Sequence, residues 1–194
     1  MNLVLNFKSL KQISIMMIKK MRNALLAISV CLFCSVASKA QTTGTTTLKV
    51  VLSPLLSITV NNANVTLTYA ALSDYQSGVS VSMPSHLTVS SLLPYTINLK
   101  SNNATLAGTG TNTNTLNASL VQVQLPSSNS GLGGTTSTIT ALSTTNQPLL
   151  TLATPALSKS IDVQYSISAA NTASGIVGKN PDTYSSTLTY TISN

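Results

Sequence analysis

Tyr184-Ser185-Ser186-Thr187-Leu188-Thr189-Tyr190-Thr191-Ile192 is the stretch that decides the fold class. Its even positions read Tyr, Ser, Leu, Tyr, Ile, while every odd position is Ser or Thr. A period of two is the pattern of a strand with one face buried. It predicts Leu188, Tyr190 and Ile192 pointing inward, and a central place for this strand in its sheet. The same alternation recurs upstream in Leu48-Val50-Leu52, Leu56-Ile58-Val60, Val65-Leu67-Tyr69, Val79-Val81-Met83, Leu87-Val89 and Tyr95-Ile97-Leu99. Apolar runs follow at 120–125, 149–152 and 161–167, with Gly, Asn, Pro and Ser clusters between most of them. No stretch past residue 40 has helical periodicity. These signals predict an all-β fold over residues 48–194: an antiparallel Greek-key β-sandwich, Ig-like, of about eight to ten short strands. A β-barrel is the runner-up. An outer-membrane barrel fits less well, because six Tyr with no Trp or Phe past residue 40 make poor aromatic girdles.

The chain has 194 residues with ten basic and three acidic side chains, a formal net charge of +7. Six of the basic residues, Lys8, Lys11, Lys19, Lys20, Arg22 and Lys39, lie in the first forty positions. Beyond them Lys49, Lys100, Lys159 and Lys179 stand against Asp74, Asp162 and Asp182, so the rest is almost neutral. A nucleic-acid partner is excluded on that ground, since the basic character belongs to the leader.

Residues 1–40 read as an export signal. Lys19, Lys20 and Arg22 supply the positive n-region, residues 24–36 an apolar h-region, and Ser38-Lys39-Ala40 a cleavage site before Gln41. Residues 1–15 exceed what a signal needs, which points to an over-extended start. The h-region is shorter than the roughly 20 apolar residues of a membrane span. Both cysteines, Cys31 and Cys34, leave with the leader, and Val30 and Phe33 are too large for a lipoprotein site. Residues 41–47 read as a flexible leader. The expected location is therefore the cell surface, periplasm or medium, with no membrane span after cleavage. Leu, Ile and Val make up about a quarter of residues 41–194, enough for one packed domain without disulfides.

Catalysis needs groups that transfer protons, attack, or hold a metal. Past residue 40 there are one His, three Asp, no Glu, no Cys and no Arg. His86 follows Pro84 at a strand start and reads as an exposed strand-end side chain, tolerant of Ala. The three Asp are far apart, and Asp74 and Asp182 sit in turn sequences. No enzyme, cofactor or metal site is predicted. Segments 101–117 and 127–138, rich in Gly, Ser, Thr and Asn, read as flexible surface loops at one end of the sandwich, with ligand contact as the sharper alternative. Most tyrosines fall on alternating positions and read as packing. Tyr75, in a turn, is the clearest ligand or partner contact, with Tyr95 and Tyr190 the other two candidates.

Leu93-Pro94-Tyr95-Thr96-Ile97 and the closing stretch from Asp182 to Ile192 together resemble bacterial WxL-type surface domains. These are exported β-sandwiches with one aromatic-x-aliphatic motif mid-domain and another in the final strand. Tyr95-x-Ile97 and Tyr190-x-Ile192 take those places, with Tyr where the family has Trp. The resemblance implies a non-catalytic structural or adhesive surface module, associating with a cell-envelope polymer or surface protein. The closing strand also resembles that of chaperone–usher pilins, which implies the first alternative: self-association by donor-strand exchange, with 47–52 as donor. A carbohydrate-binding module using Tyr and loop Asn is the second.

Overall fold

The computed structural model describes residues 3–33 and 43–194, with side chains at 11–26 and 43–194. The chain falls into two compact units, Met1–Val51 and Leu52–Asn194.

In the first unit, helix α1 (Leu3–Phe33) carries Lys19, Lys20 and Arg22 and the start of the expected h-region. Cys34 and the Ser38-Lys39-Ala40/Gln41 site lie outside the described residues. Among the described residues no helix is long and apolar enough to cross a membrane. Leu48 and Val50, expected in a strand, are exposed and belong to none, and the same holds for Leu52. Alternation alone does not make a strand where no neighbour completes the ladder.

The second unit is all-β and sandwich-like, with antiparallel sheets and a curled, half-barrel sheet. One sheet has the order β1-β2-β9-β6, from β1 (Leu56–Val60), β2 (Gly78–Ser91), β9 (Ala156–Ser168) and β6 (Gln122–Gln124). The other has the order β10-β3-β8-β7, from β10 (Leu188–Ser193), β3 (Tyr95–Ser101), β8 (Gln147–Ala153) and β7 (Thr135–Thr136). A small hairpin, β4 (Thr105–Ala107) with β5 (Thr115–Asn117), is tied by an Ala107–Ser185 bridge to the segment that leads into β10. The core lies between the inner faces. Ile97 and Leu99 of β3 meet Leu87 and Val89 of β2, Ile161, Val163 and Tyr165 of β9, and Leu149 and Leu150 of β8. Period two delivers this directly: β3 alternates buried and half-buried along its whole length.

Three expectations need correction. β10 is an edge strand, paired among the described residues with β3 alone, and not central. Its facing is as expected, since Leu188, Tyr190 and Ile192 pack half-buried against the core. Val65, Leu67 and Tyr69 also pack on the core, yet the segment is extended without a ladder. Two short helices, α2 (Leu72–Ser77) and α3 (Ala169–Gly175), flank β2 and β9 and are too short for the 3.6-residue period to register. The Asp74 carboxylate accepts the Ala70 and Ala71 N–H groups at 2.8 Å where α2 begins, and Ser168 caps α3 by accepting from the Asn171 N–H.

β2 carries an irregularity that shapes the centre of the domain. Its register on β9 runs Met83↔Val163 and then Leu87↔Ile161, so Pro84, Ser85 and His86 stand opposite Asp162 alone. Ser85 takes φ 48, a left-handed conformation that a non-glycine residue adopts only when held there. Asp162 holds it: its carboxylate accepts the Ser85 N–H and the Ser128 hydroxyl, both at 2.8 Å.

Candidate functional site

The bulge turns His86 inward. The imidazole is 2% exposed, against the expectation of an exposed strand-end residue. Its Nε2 lies 2.9 Å from the Tyr165 hydroxyl, and the Tyr165 and Tyr190 hydroxyls share a hydrogen bond. Both rings meet the imidazole edge-on, with centroids 5.7 and 5.9 Å away. His86 Nδ1 is buried with no partner among the described residues. Burial lowers the His86 pKa from 6.5, because the charged form would need a second acceptor there. Burial likewise raises the Tyr165 pKa to about 12, with the Tyr190 hydrogen bond acting the other way. For Tyr190 burial again raises it, helped by Tyr165. The trio is thus uncharged through the neutral range, with the imidazole as free base and both phenols protonated, and as a buried polar network it braces the two sheets against each other.

Tyr95 is corrected as a ligand contact. It is 1% exposed, and its hydroxyl is buried without a partner among the described residues. Tyr190 is corrected in the same sense, since its hydroxyl is spent on Tyr165. Tyr75 remains at the surface, 41% exposed on α2, with its ring centroid 5.0 Å from that of Tyr69. Tyr69 in turn bonds Thr172 of α3 at 2.7 Å. The three candidate tyrosines therefore do not make one site.

A second cluster forms where the 109–112 loop meets 180–184. The Asp182 carboxylate accepts the Thr109 N–H at 2.8 Å, the Asn112 amide at 2.6 Å, the Thr183 N–H at 2.7 Å and the Thr109 hydroxyl. These donors pull the Asp182 pKa down to about 2, the Thr109 and Asn112 side chains contributing most. Tyr184 closes the arrangement by donating to the Asn180 carbonyl at 2.8 Å. Thr109, Thr111, Asn112, Asn180, Pro181 and Asp182 line an open polar recess of about 350 Å³. Thr111 and Asn180 make no side-chain hydrogen bond among the described residues.

The two Ser/Thr/Asn-rich segments do not share one end. The 101–117 segment holds the β4–β5 hairpin and contributes to this recess. The 127–138 segment serves the other end of β3, where Thr154 N–H donates to Leu132 O. Sequence reasoning missed the recess because Asp182 and Asn112 are 70 positions apart.

These features define an all-β domain in which each Asp accepts hydrogen bonds that fix a loop or turn and the one His sits inside the core. The chain matches no known protein family, and no curated protein matches it.

Proposed function

We propose that the chain is an exported, non-catalytic structural or adhesive module of the bacterial cell surface, of the kind the WxL-type resemblance implies. The observation that carries this reading is the pairing of its two motif segments. Tyr95-x-Ile97 begins β3, Tyr190-x-Ile192 lies in β10, and Ile97 stands opposite Ile192 in the ladder. Two segments far apart in sequence thus form one continuous structural feature. The state of the reactive groups supports the same reading: Asp74, Asp162 and Asp182 spend their oxygens on N–H and hydroxyl donors that fix loops.

Fractionation of the producing cells tests it. The expected result is a surface-exposed chain with its N-terminus at Gln41 by intact mass, accessible to protease added to whole cells. A chain held in the cytoplasm with residues 1–40 retained overturns it.

The recess at Asp182 favours a second reading, a carbohydrate-binding module, because it offers the Thr111 hydroxyl and the Asn180 amide, neither with a hydrogen-bond partner among the described residues. Saturable binding of cell-wall polysaccharide that is lost in Asn180→Ala would put this reading ahead.

A further inference from the structure

Leu48, Val50 and Leu52 are 86, 74 and 82% exposed, and Val51 between them is exposed as well. Among the described residues their backbone makes no hydrogen bond to another part of the chain. The segment therefore presents apolar side chains and unpaired N–H and C=O groups to water, and drawn out as a strand its alternation would put Leu48, Val50 and Leu52 on one face beside two bare edges. A lipid surface would cover the leucines and leave those backbone groups unsatisfied, at considerable cost. Another strand satisfies both.

We propose that the strand is supplied by a second copy of this chain, through antiparallel pairing of the two 47–53 segments about a two-fold axis at Val50. The sequence is complementary to itself in that register. Val50 faces Val50 of the second copy, Leu48 faces Leu52, and Lys49 faces Val51, so the one charge never meets its own kind. In-register parallel pairing would set Lys49 beside Lys49. A slip of one residue would send the apolar set to opposite faces. Residues 41–194 carry four Lys against three Asp, so two copies approach with little net repulsion. Pro54 lacks an N–H and limits the ribbon on that side.

A two-stranded ribbon alone is marginal in water. The second unit has an apolar surface of its own that a second copy can cover. Leu55, Leu92, Leu93, Leu152 and Leu157 are all exposed. They gather at one end, where Leu92 N–H donates to Leu55 O, Ser91 pairs with both Leu56 and Ala156, and Tyr95 pairs with Ala153.

The test uses the full-length protein as isolated, with intact mass recording which residues it carries. Sedimentation equilibrium over a hundredfold range of concentration is expected to give a dimer. Because Val50 pairs with itself, Val50→Lys places two cations face to face and should give monomers, as should Val50→Glu. Mixing the two variants should restore a dimer, now mixed. Position 50 lies outside every strand, so each monomer should keep the folded second unit by circular dichroism and melt at the temperature the parent shows when diluted below its dimer range. A parent monomeric at every concentration overturns the proposal. So do a Val50→Lys chain that dimerises like the parent and a mixture that stays monomeric. Flotation of a monomeric parent with phosphatidylglycerol vesicles would assign the surface to lipid instead.

Discussion

The imidazole of His86 and the phenol of Tyr165 meet inside the domain, Nε2 to hydroxyl at 2.9 Å, although 79 positions separate them. This contact joins the bulge of β2 to the middle of β9 and makes the one histidine a part of the core.

Stability should therefore depend on pH in a defined direction. Burial disfavours the imidazolium, so the folded chain gives up its proton more readily than the unfolded chain, whose His titrates near 6.5. Between the two values the unfolded state binds more protons, and stability falls as pH drops below 6.5. The slope can reach about 1.4 kcal/mol per pH unit for one proton. The urea midpoint of the parent should fall from pH 7.5 to 5, while that of His86→Leu should stay flat. A parent midpoint that is flat or rises would refute the placement of His86. His86→Ala, harmless for an exposed residue, should instead destabilise by roughly 2–4 kcal/mol through the cavity and the lost partner of Tyr165.

Tyr95 carries a buried hydroxyl with no partner among the described residues. Tyr95→Phe removes that group and leaves the ring, so the change should stabilise by about 1 kcal/mol. Calorimetry should show a melting temperature higher by about 2–4 °C. A clear loss of stability would mean that the hydroxyl has an acceptor.

Core and edge strands should differ under the same truncation. Leu99 is fully buried in β3, and Leu99→Ala should cost about 2–5 kcal/mol. Leu188, half-buried on the edge, should cost less, about 1–2 kcal/mol. Equal losses in denaturant titrations would contradict the edge placement of β10.

Gly134 has φ +64, and a Cβ there would come within 2.6 Å of the Leu152 carbonyl oxygen. Gly110 has φ +58 with open space around it. Gly110→Ala should cost only about 1 kcal/mol of backbone strain. Gly134→Ala should cost clearly more, because the β7–β8 approach must open. Matching melts of the two variants would count against that close approach.

Asp182 ties the 109–112 loop to 180–184, so Asp182→Ala should speed amide exchange at Thr109 and Thr183. Because its pKa falls to about 2 from 3.8, the same loosening should appear in the parent as pH drops through that interval. Exchange rates unchanged by the substitution would dismiss the brace.

Much of the sheet architecture is legible from alternation. Tyr95-Ile97-Leu99 and Ile161-Val163-Tyr165 fill the core as their spacing implies. Alternation says which face is apolar and not whether a neighbour will pair, so Leu48-Val50-Leu52 and Val65-Leu67-Tyr69 have the pattern without the ladder. The place of His86 follows from a bulge held by Asp162, a residue of another strand, and no local pattern carries that. The Asp182 recess is equally non-local. Its parts look like ordinary turn residues until the loops meet.

The partnership of β3 with β10 also sets a timetable. The Thr189 hydroxyl donates to Asn102 across 87 positions of chain, and every rung between these strands spans a comparable distance. Contacts of that span form slowly, because the loop must close before the pairing rewards it. While the chain emerges in order from the ribosome, β3 waits with one edge bare until residues 188–193 arrive. Tyr190 is likewise absent from the trio with His86 and Tyr165 until then. The second unit therefore stays open at β3 until β10 is free to pair with it.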